Sequence, residues 1–204
     1  MSLPSRLLGA NPSIQVSSLL SGSLSTPSAK GAYVEYEGAE LLSTQSVSGV
    51  NTITFSNLNT YSDYDHLEFH CALSSTSNAY TRMRFNSDTS SIYTAKGTLA
   101  TVNSVTSNDF PEASVSNMAP LTRNADQANS GTYINVLVPY FNSTTRKNYL
   151  CYGGGFALTA YESYVEIFGG QWGSTSAITS ITIYMSTGSW ATGSKISMYG
   201  WKNT

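Results

Sequence analysis

Charge is what this chain of 204 residues has least of. Ten basic and twelve acidic residues make up 11% of it, for a formal net charge of -2, against about 25% charged residues in an average domain. A nucleic-acid partner is thereby excluded, because neutralising phosphates takes a basic patch and none is present. Polar tracts also mark disordered chains, but those lack the aromatic and β-branched residues carried here from end to end. There is no run of about 18 apolar residues that could cross a membrane as a helix. The opening MSLPSRLLGANPS has one arginine and only a short apolar run, so it does not read as a secretory signal. Cysteine is scarce too: Cys71 and Cys151 are the only two. Both fall on inward strand positions. They could be bonded if they are neighbours, but two buried free thiols are the expectation for a chain made in a reducing cytosol.

What the chain does have is serine, threonine, glycine, asparagine and tyrosine, arranged with a period of two. In HLEFHCAL (residues 66–73), Leu67, Phe69, Cys71 and Leu73 face one way and His66, Glu68 and His70 the other. Alternation of this kind predicts a half-buried strand. The same pattern puts Met83 and Phe85 inside and Arg82 and Arg84 outside over residues 81–85, where either arginine could pair with Glu68 across strands. It puts Ile134, Val136 and Val138 inside over residues 133–140. Further strands are expected near residues 33–42, 51–55, 99–102, 148–152, 156–161 and 164–168. Residues 103–130 read as a long polar connection. The stretch ITSITIYMSTGSWATGSKISMYGW (residues 178–201) reads as two antiparallel strands joined by a turn-rich loop, a closing hairpin. About nine or ten strands without a credible helix predict an all-β, antiparallel two-sheet β-sandwich, expected as a jelly roll. One domain is expected over 31–204. Residues 1–30, with three prolines and short leucine pairs, read as an extended N-terminal arm, crossing to a neighbouring subunit or folding back on its own domain.

The chemistry-bearing residues are few. His66 and His70, the only histidines, lie four apart on a strand, about 13 Å by strand rise, too far for one metal centre. Glu35, Glu37, Glu40, Glu68, Asp88, Asp109, Glu162 and Glu166 are candidates for a carboxylate pair, but their spacing selects none. No G-x-S-x-G elbow is present. YGGG (residues 152–155) lacks the Lys-Ser/Thr ending of a phosphate loop and reads as a tight hairpin or bulge. The turn around Asp88 lacks the repeated acidic ligands of a calcium loop. Asn142-Ser143-Thr144 matches the glycosylation pattern, which stays idle without secretion. No catalytic, cofactor-binding or metal-binding residue is therefore assigned, and no cofactor is expected. Trp172 and Trp190 sit among Gly and Ser. Together with Trp201 and the tyrosines they either cap the core, pack on a subunit, or stack on sugar rings.

RFNSDTSSIYT (residues 84–94), the strand YINVLVPY (133–140) and ITSITIYMSTGSWATGSKISMYGWK (178–202) together resemble the β-sandwich proteins of tailed-bacteriophage virions. In those, an arginine-led strand runs into an Asn/Asp turn, and the chain closes on a strand of the form S-x-x-x-L-Y-G. This chain departs at Met198, where leucine is usual, and at Trp201, where an aliphatic residue is usual. The resemblance implies a structural protein of the virion surface, made in the host cytoplasm. It implies a homo-oligomer, trimeric in expectation, and no catalytic residues. A capsid decoration (cement) protein, binding the major capsid protein and bridging subunits of the head shell, is the leading expectation. A tail-fibre or receptor-binding module recognising host glycans is the alternative.

Overall fold

The computed structural model describes residues 38–77, 79–101, 104–108, 119–123, 131–157 and 162–202, and the structural statements below concern these. The arm expected over residues 1–30 lies outside them, as do Glu35, Glu37 and Asp109.

The described residues form twelve strands and one short 3-10 turn, Leu58–Tyr61. The strands are β1 (Glu40–Val47), β2 (Thr52–Phe55), β3 (His66–Leu73), β4 (Tyr80–Phe85), β5 (Tyr93–Thr101), β6 (Ser104–Asn108), β7 (Ala119–Arg123), β8 (Thr132–Pro139), β9 (Lys147–Ala157), β10 (Glu162–Trp172), β11 (Ile181–Met185) and β12 (Ser194–Trp201). They make an antiparallel sheet of eight, ordered β1-β12-β3-β8-β9-β10-β5-β6, and one of four, ordered β2-β11-β4-β7. The all-β two-sheet sandwich is thus the observed architecture. Eight of the strands, β1-β12-β3-β8 facing β2-β11-β4-β7, have the order of a jelly roll. The other four, β9, β10, β5 and β6, extend the larger sheet beyond it.

The inward sets read from alternation form the core. Leu67, Phe69 and Cys71 of β3, Met83 and Phe85 of β4, Ile134, Val136 and Val138 of β8, and Ile181 and Ile183 of β11 are all buried. Phe55 and Phe69 meet edge to face at 5.2 Å across the two sheets.

Four expectations are corrected. The closing stretch is not a hairpin: β11 pairs with β2 and β4, and β12 with β1 and β3, in different sheets. The connection, residues 186–193, crosses from one sheet to the other and is tied down on both sides. Trp190 N–H donates to the Val50 carbonyl at 2.9 Å, Gly49 N–H to the Trp190 carbonyl at 2.8 Å and Ala191 N–H to the Ser74 carbonyl at 2.8 Å. Gly188 and Gly193 turn it with positive φ. Secondly, β3 and β4 also lie in different sheets, so Glu68 does not pair with Arg82 or Arg84. Arg84 lies over the Tyr184 ring at 4.7 Å and Arg82 over Tyr80 at 5.8 Å.

Thirdly, Gly153–Gly155 make no turn, because β9 runs through them. Gly155 stands opposite Tyr164, and a Cβ added there would strike the Tyr164 side chain. A glycine within a strand here makes room for a neighbour's ring. The same device recurs where Gly97 stands opposite Phe168 and Gly170 opposite Tyr149, each glycine lying under its partner's ring. Finally, the stretch read as a long connection contains β6 and β7.

Candidate functional site

The two outer faces of the sandwich differ in kind. On the four-stranded sheet, outward positions carry Thr54 and Thr182, hydroxyl to hydroxyl at 3.1 Å, with Arg84 over Tyr184 beside them. Such a face suits water. The eight-stranded sheet is different, because strand register assembles an apolar and aromatic surface on its outside.

One half of that surface is aromatic and lies on β12, β3 and β8. His66, Glu68 and His70 point outward as alternation predicts. Glu68 sits opposite Tyr199 on one side and Leu137 on the other. Its carboxylate is held by two donors: Trp201 Nε1–H at 2.8 Å on one oxygen and His70 Nε2 at 3.1 Å on the other. The His70 ring packs against Tyr199 at 4.7 Å and faces Tyr133 at 6.3 Å. His66 meets Tyr140 edge to face at 4.7 Å, and its Nδ1 accepts the Tyr140 backbone N–H at 3.2 Å. Each histidine is thus fixed by its own tyrosine neighbours. Among the described residues no group of three His, Cys, Asp or Glu converges to hold a metal.

The register also places Ser197 directly opposite His70, so a hydroxyl, an imidazole and, one row along, the Glu68 carboxylate share one face, a grouping that the sequence reading missed. Its geometry is not that of a nucleophile. The Ser197 hydroxyl pairs with Thr44 Oγ1 on the next strand at 3.0 Å, whereas nucleophile activation needs the hydroxyl bonded to the base.

The other half is aliphatic, on β8, β9 and β10. Asn135, Tyr152 and Ile167 stand in one row, and Tyr133, Gly154 and Val165 in the next. Leu137 and Leu150 follow on the opposite side. Tyr133, Leu150, Tyr152, Val165 and Ile167 are 42–59% exposed. No reading of the sequence singled these out. The available signal was β10 itself, SYVEIF, which is apolar on both alternating sets.

The remaining candidates resolve one by one. Trp172 and Trp190 are 2% and 1% exposed, so neither offers a face to a sugar ring. Trp172 closes β10 rather than sitting in a loop. It stacks near Tyr93 and Phe85 and donates Nε1–H to Asp88 Oδ2 at 2.8 Å. Asp88 also accepts from the Ser90 backbone N–H at 2.8 Å and the Ser90 hydroxyl at 2.5 Å. The Ser90 hydroxyl above all, against partial desolvation, holds its carboxyl below the ordinary range, with the Ser90 N–H and the Trp172 indole adding to the effect. Trp190 plugs the end of the sandwich, with Nε1 buried and no hydrogen-bond partner.

Of the remaining acids, Glu40 accepts the Tyr64 hydroxyl and stands opposite Gly200. Gly200 is opposite buried Leu67, so Glu40 projects on the other side of the sheet from Glu68. Glu166 is buried on β10. Asn142 Nδ2 donates to the Ser62 and Tyr64 carbonyls at 3.2 and 3.3 Å, so this amide braces two loops. Cys71 and Cys151 are both free and buried. They lie on β3 and β9, the two neighbours of β8. Burial pushes both thiols up, and Cys151 Sγ donates to the Leu121 carbonyl at 2.9 Å.

A shallow depression of about 790 Å³ borders the apolar face, lined by Leu73, Ser74, Thr132, Tyr133, Gly154 and Thr192 among others. No family model, curated protein or solved structure matches the chain.

Proposed function

We propose that this chain is a structural protein of a tailed-phage virion, a capsid decoration protein that works by adhesion. The observation that supports it is the apolar outer face of the eight-stranded sheet. A surface of exposed Val, Ile, Leu and Tyr gains free energy by being covered, at about 25 cal/mol per Å² of apolar area removed from water. The Glu68 carboxylate is taken by two donors, so the aromatic half of the face is a fixed recognition surface rather than an acid–base centre. In this reading the protein bridges neighbouring capsid subunits as a homo-oligomer and stiffens the shell by burial alone. Its partner is the major capsid protein, and no cofactor, nucleic acid or membrane is involved.

A second reading, a receptor-binding module for host glycans, does not have Trp172 or Trp190 to rest on. Exposed Tyr133 beside the depression formed with Ser74, Thr132 and Thr192 is the observation that favours it, because an aromatic wall next to hydroxyls suits a sugar ring. Electron microscopy of intact particles labelled with an antibody to this chain decides between the two. Label tiling the head is the expected result. Label confined to the tail tip overturns the decoration reading and favours the glycan one.

A further inference from the structure

We propose that the aliphatic half of the outer face, centred on Tyr152 and Ile167, is where a second copy of this chain docks, sheet face against sheet face. The inference goes beyond the virion reading: it gives the aliphatic half to the contact between copies and leaves the aromatic half on β12, β3 and β8 for a capsid partner. It does not depend on that reading, because a twofold pair can form on or off a particle.

Three observations point to a second copy rather than another partner. The first is charge. Among the described residues the outward side chains of β8, β9 and β10 carry no charge. Lys96 on β5, opposite Gly169, sits at one rim, and Glu68 on β3, opposite Leu137 and held by Trp201 and His70, at the other. A neutral surface meets its own image without like-charge repulsion and offers an oppositely charged partner nothing to select.

The second is area. Tyr133, Leu150, Tyr152, Val165 and Ile167, at 42–59% exposure, together show roughly 500 Å², near the upper end for the largest patch on a monomer. A standard interface buries roughly 800 Å² per partner, so these five residues would supply the greater part of one.

The third is shape. Gly169 leaves a hollow beside Leu150, its cross-strand partner. A Cβ there would meet nothing nearer than the Tyr149 carbonyl oxygen at 3.9 Å. A face with both a protruding row and a hollow can interdigitate with its copy about a twofold, and such isologous pairing closes at two subunits. Two faces packed this way lie about 10 Å apart, as stacked sheets do.

The test is sedimentation velocity of the full chain over a hundredfold concentration range, with Ile167→Asp and Gly169→Val alongside wild type. Ile167→Asp puts a charge at the centre of the face. Gly169→Val fills the hollow and removes nothing. Both substitutions lie on the outside, so circular dichroism and the melting temperature should stay those of wild type. Wild type should sediment as a dimer, and each variant should weaken dimerisation at least 100-fold. A wild type that stays monomeric throughout, a trimer, or variants that associate like wild type would each overturn the proposal. None of these outcomes bears on where the protein sits in a particle.

Discussion

Replacing Trp172 by phenylalanine separates an anchor from an exposed platform. The indole is 2% exposed, lies against Phe85 at 5.6 Å and Tyr93 at 6.4 Å, and donates to Asp88 at 2.8 Å. Phenylalanine keeps most of the ring contact but loses the donor. A hydrogen bond to a charged group contributes about 1.5–3 kcal/mol, and the half-exposed position of Asp88 argues for the lower end. The smaller ring leaves a void of roughly 40 Å³, costing about 1 kcal/mol more at about 24 cal/mol per Å³. The expected loss is therefore about 2.5 kcal/mol, or roughly 5–10 °C in melting temperature for a chain of this size.

Urea denaturation of wild type, Trp172→Phe, Asp88→Asn and the double variant should show that the two single losses do not add. The pH dependence has a definite sign. The folded carboxyl of Asp88 lies below its unfolded value, so its contribution is complete above about pH 5 and is lost as pH falls through the folded value. The stability gap between wild type and Asp88→Asn should hold constant from pH 7 to 5 and shrink below about pH 4. A Trp172→Phe loss under about 0.5 kcal/mol would refute the anchoring role.

Trp190→Phe should behave differently. Its buried Nε1 has no partner, so losing that atom relieves about 1–3 kcal/mol of unmet hydrogen bonding against a similar cavity term. Denaturation should find it within about 1 kcal/mol of wild type, and a loss as large as that of Trp172→Phe would contradict this reading. Gly97→Ala puts a methyl into the Phe168 ring and against the Ile167 carbonyl oxygen and should cost about 1–3 kcal/mol by overpacking. Combining it with Phe168→Leu should recover part of that loss, and a double variant no better than the sum of the singles would count against ring contact as the cause. Both thiols, buried and with their ionisation pushed up by that burial, should resist a thiol reagent in native buffer and react fully in urea. Reaction of either within seconds under native conditions would show that it is accessible.

Alternation told which residues of β3, β4, β8 and β11 face the core, because a half-buried strand needs one apolar side wherever it lies. It could not tell which sheet a strand joins. Ile183 of β11 and Ile196 of β12 both point inward, and that is equally true of hairpin neighbours and of strands facing each other across a sandwich. The loop of eight residues between them is long enough to cross the roughly 10 Å between sheets, so its Gly and Ser content was compatible with either route. Composition misled at Gly153–Gly155 and at Trp172 for a related reason. Glycine marks a turn in most contexts. At Gly155 of β9 and Gly97 of β5 it marks the place where a ring from the next strand lies down, a fact that exists only once the register is known.

The same register explains why the candidate face was not legible in β10. Its two alternating sets, Tyr164, Glu166, Phe168 and Trp172 against Val165 and Ile167, are apolar enough that either could be the core side. Large rings decide it. Phe168 lies over Gly97, and Tyr149 of β9 lies over Gly170, so the even positions of β10 turn inward and carry Glu166 into the interior with them. Val165 and Ile167 are then outside, where the fold does not require them to be apolar. The opposite sheet shows what solvent alone asks of such positions, since Thr54 and Thr182 fill them with paired hydroxyls. β-branched propensity accounts for branching at residues 165 and 167 but would be met as well by threonine. The apolar choice therefore marks a face suited to being covered, and so the outer face rather than any polar cluster is the place to look for function.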